Sequence, residues 1–180
     1  LGVNLWGVLH GIGVFVPKML AHGEPAHVVN TASIAGVLTP PFMGDYVTTK
    51  HAVVALSEVL ARDLSAFGAA IKVSVLCPGF VQTQIHNSAR HRPEALANPA
   101  AENPAADGAR ASLMNAVSQM VAAGKPASEI AGAVVDAIRS ETFYIFTHDE
   151  LWPAVEARYQ DQRERRYPTF DPSQLTAKKL

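Results

Sequence analysis

A single cysteine, Cys77, leaves this 180-residue chain without an internal disulfide. No cysteine pairs, and no two histidines on one helical turn with a carboxylate, frame a metal site, although seven His are available. An excess of one charge is lacking too. Fifteen Lys plus Arg stand against 16 Asp plus Glu with no basic stripe, so nothing neutralises a phosphate backbone and no nucleic acid partner is expected. The longest charge-free run, Ala26 to Gly44, holds His27, Asn30, Thr31, Ser33, Pro40 and Pro41, which hydrocarbon penalises; no membrane span or membrane partner is expected from it. No signal peptide is readable, which makes a reducing cytoplasm the default location. What remains, 48% hydrophobic residues, suits one globular domain. Leu1 opens inside an apolar helical pattern with no helix-start signal, so the chain reads as truncated.

Leu5, Val8, Ile12, Phe15 and Met19 recur at helical spacing, and Trp6, Leu9, Val16 and Leu20 make most of the remaining circumference apolar, so this helix must be covered on more than one side. Gly23 and Pro25 end it, and Ala26 to Ala32 reads as a short buried strand. From Asp45 or Tyr46 to Phe67 the stripe Val53, Leu56, Leu60, Leu64 and Phe67 predicts a second helix, stopped by Gly68. Ile71 to Cys77 follows as a strand with Ile71, Val73, Val75 and Cys77 on one face, halted by Pro78 and Gly79. Residues 84–125, rich in Pro, Asn, Ala and charge, read as a variable lid containing one short helix around Leu113 to Ala122, with His86 and His91 as solvated lid residues. Ser128 is placed to cap a helix carrying Ile130, Val134 and Ile138; Phe143 to Thr147 reads as a strand, and a last helix starts near Asp149 with Leu151, Val155 and Tyr159 on one side. Arg163, Arg165 and Arg166 read as a charged helix face, and 167–180 as a frayed tail. Alternating helices and strands predict an α/β fold with a parallel sheet covered by helices on both faces.

Tyr46 and Lys50 lie four apart on one helix, so their side chains emerge one above the other. Such a pair can be an acid/base device, although a Y-x-x-x-K match arises by chance in roughly one chain in eight of this composition. Taken singly, Asn4 reads as a locally bonded helix residue, Ser33 as a turn residue, Thr83 as a helix cap and Cys77 as a packing residue. Their order is more informative. Ser33 ends the strand before Tyr46, Pro78-Gly79 and Thr83 follow the next strand, and Asn4 lies upstream in the first helix.

Asn4 in Val3-Asn4-Leu5-Trp6-Gly7, Ser33 in Asn30-Thr31-Ala32-Ser33-Ile34-Ala35-Gly36, Tyr46-Val47-Thr48-Thr49-Lys50, and Pro78-Gly79-Phe80-Val81-Gln82-Thr83 match, in order and approximate spacing, motifs of the classical short-chain dehydrogenase/reductase family, which the chain resembles up to about Tyr159. The resemblance implies a partial doubly wound Rossmann-type sheet in which Ala26–Ala32, Ile71–Cys77 and Phe143–Thr147 are the last three, adjacent strands of the family sheet. It also marks what is missing: the glycine-rich turn for the cofactor pyrophosphate and the residue that selects NAD or NADP. Gly11-Ile12-Gly13 is no substitute, because it lies within a helix and meets Val16 where a third Gly belongs.

The implied activity is interconversion of an alcohol and a carbonyl with NAD or NADP as hydride carrier. Tyr46 would be the general acid/base. A free phenol titrates near pH 10, about three units from neutrality, and a neighbouring ammonium such as Lys50 is worth about 1–3 of them. Ser33 would hydrogen-bond the substrate oxygen. By the resemblance, Lys50 also holds the nicotinamide ribose, Asn4 holds a water linking Lys50 to solvent, and Pro78, Gly79, Val81 and Thr83 stand beside the nicotinamide, with Val81 backbone groups on its carboxamide. Tyr46 thus belongs to both the catalytic and the cofactor set, with no metal. Two alternatives stay open: a non-catalytic nicotinamide-binding regulator, and an epimerase or lyase of the extended branch, whose larger carboxyl-terminal domain contrasts with the 97 residues that follow Thr83 here. Leu96, Leu113 and Met114 favour an apolar small-molecule substrate. A homodimer or homotetramer through the first helix and the Tyr46 helix is expected, and the 180 residues alone are expected to be inactive, marginally stable and prone to associate along the Ala26–Ala32 edge.

Overall fold

The computed structural model describes residues 1–85, 87, 92–96, 104–171 and 173. His86, His91 and the tail positions 172 and 174–180 lie outside the described residues. The chain forms two compact units, one of Leu1–Gly79 with Ala131–Leu180 and one of Phe80–Ile130.

In the first unit a π-helical turn, Gly2–Trp6, runs into α1, Gly7–His22; then follow β1, Ala26–Thr31, and α2, Gly44–Ala66, and β2, Ile71–Cys77. β2 pairs in parallel with β1 on one side and on the other with β3, Tyr144–Phe146, giving the order β1-β2-β3 expected for three adjacent strands. The alternation along β2 decides the packing. Ile71 and Val73 join Val16 of α1 and Leu64 of α2 in one buried cluster, while Val75 and Cys77 join Ala32, Val53 and Val54 in another. A buried polar bond adds direction: the Asn30 amide donates to Ser57 Oγ at 3.0 Å, and Ser57 donates to the Val53 carbonyl at 2.7 Å, which fixes where β1 lies along α2.

The ends differ from the sequence expectation in detail. β1 stops at Thr31 rather than Ala32, although the Ala32 amide still donates to Leu76 at 2.8 Å, and β3 is two residues shorter than Phe143–Thr147. Leu151 and Val155 are buried as expected, but Tyr159 on the same stripe is half exposed, with the Arg158 guanidinium 5.7 Å from its ring. The last helix is α5, Trp152–Arg163, preceded by a 3-10 turn, Asp149–Leu151. Beyond it Arg166 is more than a solvated charge. It pairs with the buried Asp161 at 3.2 Å, and Thr169 donates to that carboxylate through its amide and its hydroxyl.

Among the described residues one helix, Gly2–His22, is by length and composition apolar enough to cross a bilayer, although the longest charge-free run of the sequence, Ala26 to Gly44, lies elsewhere. Here its Ile12, Val16 and Met19 are spent on the core with Leu64, Ile71 and Val73.

In the second unit α3 spans Pro104–Ala122, twice the length expected from Leu113, because Pro is tolerated in a first helical turn and the following alanine-rich stretch is favourable helix sequence. An isolated parallel bridge joins Val81 and Lys125. Helix α4, Ala127–Ser140, begins one residue before Ser128, so Ser128 is not its cap; the Pro126 carbonyl takes the Glu129 amide at 3.1 Å.

Candidate active site

The site is assembled where β1 and β2 end and α2 begins. Tyr46 and Lys50 stand one turn apart on α2 and are both half-buried, with the Lys50 ammonium 5.7 Å from the centre of the Tyr46 ring. That is within the range of a cation over an aromatic face. Lys50 Nζ donates to the Thr31 carbonyl at 3.1 Å, which spends one of its three protons and leaves the others for a ligand. Burial holds the ammonium below the ordinary lysine value, opposed by the neighbouring Cys77 sulfur.

Ser33 follows two residues after Thr31 in extended backbone (φ −177°, ψ 164°) and caps the 3-10 turn Ile34–Gly36. Its Oγ accepts the Ala35 amide at 3.2 Å, so the hydroxyl proton is left to donate. Gly36 is the reason this turn can lie against α2. A Cβ there would stand 2.7 Å from Val54 Cγ2 and 2.9 Å from the Lys50 carbonyl. The Ser33 turn and the Lys50 turn are therefore in direct contact through a glycine, whose significance is invisible until the helix is seen behind it.

Asn4 lies in the π-helical turn, a rare geometry that recurs at functional positions. Its amide donates to Thr49 Oγ1 at 3.5 Å, and Thr49 donates to the Tyr46 carbonyl at 2.7 Å, so Asn4 joins the Tyr46–Lys50 turn through Thr49, an intermediary not anticipated from the sequence. Cys77 is 1% exposed, and burial pushes its thiol up to about 11, against a Ser33 backbone hydrogen bond and the Lys50 charge, which makes it a packing residue rather than a nucleophile.

Pro78 adjoins the Ser33 turn, its carbonyl accepting the Ile34 amide at 2.8 Å. Gly79 donates its amide to His148 Nδ1 at 3.1 Å, a partner 69 residues away that no sequence pattern signalled. Val81 and Thr83 belong to the second unit. There the bridge to Lys125 uses the Phe80 carbonyl (3.0 Å) and the Gln82 amide (2.9 Å), which turns the N–H and C=O of Val81 itself to the opposite side, and Thr83 Oγ1 accepts the Ile85 amide at 3.4 Å.

A cavity of about 310 Å³ lies behind the Gly36 turn, among His51, Glu58, Tyr144, Phe146 and Trp152; none of Asn4, Ser33, Tyr46, Lys50 or Pro78 lines it. What the converging residues offer is a proton-bearing phenol beside an ammonium, a hydroxyl free to donate, and the carboxyl ends of two parallel strands. In open α/β sheets that end receives ligands. A nicotinamide ribose, with hydroxyls to accept from an ammonium, fits Lys50 in this setting.

Residues 1–94 match the family model described as short chain dehydrogenase. A CLA biosynthesis dehydrogenase/reductase of Lactiplantibacillus plantarum is 33% identical over 156 residues, covering 87% of this chain and 54% of that protein. A 1-deoxy-11-beta-hydroxypentalenate dehydrogenase of Streptomyces avermitilis is 32% identical over 159 residues, covering 88% and 49%. The chain thus spans about half the length of the curated relatives it matches. The crystal structure of a short chain dehydrogenase/reductase from Burkholderia phymatum in complex with NAD superposes with a TM-score of 0.85 at 43% identity, covering 94% of this chain and 59% of that one.

Proposed function

Because the chain belongs to the short-chain dehydrogenase family, we propose that it carries the proton-handling side of a nicotinamide-dependent oxidoreductase that interconverts a small-molecule alcohol and a carbonyl. The observation that carries this reading is the Tyr46–Lys50 pair, with Lys50 Nζ at once bonded to Thr31 and 5.7 Å from the Tyr46 ring. When bound, NAD or NADP supplies or receives the hydride.

In the reducing direction the Tyr46 hydroxyl gives its proton to the carbonyl oxygen; in the oxidising direction its phenolate takes the proton from the alcohol. Lys50 stabilises that phenolate and offers its remaining protons to the ribose hydroxyls. Ser33, its Oγ already accepting from Ala35, donates to the substrate oxygen and so orients the reacting carbon. Asn4 holds the water that passes protons between Lys50 and solvent. Pro78, Gly79, Val81 and Thr83 take the nicotinamide side. The relatives named as dehydrogenases support this direction of reading over an epimerase or a regulator. The substrate is an apolar alcohol or ketone, and the working protein is a homodimer or homotetramer through the first helix and α2.

The test is Tyr46→Phe in the full-length protein, followed by reduced-nicotinamide absorbance against a panel of alcohols and ketones. Turnover should fall by about 10²–10⁴ with cofactor affinity retained, since only the proton-bearing oxygen is lost. Near-full turnover in that variant would refute the assignment.

A further inference from the structure

The Pro78–Gly79 peptide is held at both of its polar atoms. Its carbonyl, on Pro78, accepts the Ile34 amide of the Ser33 turn at 2.8 Å, and its N–H, on Gly79, donates to His148 Nδ1 at 3.1 Å. One peptide plane is thus clamped between the turn that carries Ser33 and a histidine that follows β3.

His148 is built to hold its end. It is 6% exposed, and its own carbonyl accepts the Leu151 amide at 3.1 Å, anchoring it to the 3-10 turn that leads into α5. The Gly79 amide can only donate, so Nδ1 is the acceptor of this bond; the Thr147 hydroxyl lies 2.8 Å from the same Nδ1. The ring also lies close against the glycine. A Cβ on Gly79 would meet His148 Cγ at 2.7 Å and Leu151 Cδ1 at 2.9 Å. A glycine at 79 and a histidine at 148 therefore fit as a pair.

We propose that His148 is a positioning residue of the cofactor site: by fixing the tilt of the Pro78–Gly79 peptide against the Ser33 turn, it sets the nicotinamide side of the site relative to the substrate-oxygen side. This rests on the function proposed above. His148 touches neither substrate nor cofactor in this role; it acts through Gly79.

Two isosteric-minded variants separate the acceptor from mere polarity. Asn carries its amide at the position of Nδ1, whereas Gln carries it at that of Nε2. In the full-length protein His148→Gln should raise KM for the nicotinamide nucleotide roughly tenfold, the loss expected for one buried hydrogen bond, with a smaller change in kcat, and should speed hydrogen exchange of the Gly79 amide. His148→Asn should restore both towards wild type. Equal KM values in the two variants, or faster Gly79 exchange with KM unchanged, would overturn the proposal. Should His148→Gln not fold, ¹⁵N spectra of the wild type decide: saturating NAD or NADP must shift both the His148 Nδ1 and the Gly79 amide resonances, and unshifted resonances overturn it. A wild type that binds neither nucleotide instead defeats the underlying oxidoreductase reading, a failure distinguished by the wild-type titration alone.

Discussion

The Lys50 ammonium donates to the Thr31 carbonyl at 3.1 Å, so the residue proposed to serve the chemistry also joins α2 to the end of β1. The contact has a measurable electrostatic side. Burial, the largest influence on Lys50, favours the neutral amine and depresses its folded pKa below the unfolded value of about 10.4. The burial cost is therefore fully present below the folded pKa, and it is relieved as pH rises from there towards the unfolded value, because in that window the unfolded chain binds more protons.

Comparing Lys50→Met with wild type isolates this term. Urea unfolding of both full-length proteins at neutral and at alkaline pH should show the balance moving in favour of Lys50 as pH rises through the alkaline range below about 10.4. A difference between the two proteins that does not change with pH would show that Lys50 is not desolvated.

Gly36 makes a second, purely steric prediction. Gly36→Ala places a methyl 2.7 Å from Val54 Cγ2 and 2.9 Å from the Lys50 carbonyl, so either the Ser33 turn or α2 must move. Overpacking of this kind costs about 1–3 kcal/mol, and here it also separates Ser33 from Lys50, so turnover should fall along with the thermal midpoint. Gly132→Ala is the control. It lies inside α4 with nothing within 4 Å of the added methyl, and should stabilise the protein by about 0.5–1 kcal/mol with unchanged turnover.

The contrast between these glycines shows what the sequence could disclose. Periodicity located β2 to the residue and α2 to within one or two, because Ile71, Val73, Val75, Val53 and Leu64 are set by burial, whereas Phe67, the last member of the expected stripe, falls past the helix end and is 81% exposed. Ordered motifs brought Asn4, Ser33, Tyr46, Lys50 and Pro78 to attention. Thr49, Gly36 and His148 escaped, for a common physical reason. Each acts through a contact with backbone or side chain distant in the chain, and a hydrogen bond from Gly79 to a position 69 residues later leaves no trace in local spacing. The long α3 was missed on different grounds: alanine-rich helices carry little apolar periodicity, so propensity alone determines them.

Cys77 should be chemically silent in the folded protein. Its thiol, raised to about 11 by burial, has a thiolate fraction roughly 100-fold below that of a free cysteine with a pKa near 8.5–9. Alkylation by iodoacetamide at pH 8 should accordingly be at least that much slower in the native state than in urea. Native labelling at the denatured rate would mean that the core around Val53 and Val75 opens readily.

The first helix leaves several apolar side chains outside the core. Ile12, Val16 and Met19 face the core, yet Val3, Trp6, Val14, Phe15 and Leu20 on other sides are exposed, Trp6 by 52% and Phe15 by 59%. On α2, Val59 is exposed too, and Phe67, which follows the helix, by 81%. Exposed apolar side chains in this number are uncommon on a soluble monomer and suit an isologous interface, in which the same helices of two copies cover one another. Trp6→Glu with Phe15→Glu places one charge on each of two opposite exposed sides of the helix and leaves Val16 and the Tyr46–Lys50 turn unaltered. Light scattering of the full-length protein should report a dimer or tetramer for wild type and a smaller species for the double variant. If wild type is a monodisperse monomer, the outer face is covered by other residues of its own chain, and the interface is refuted.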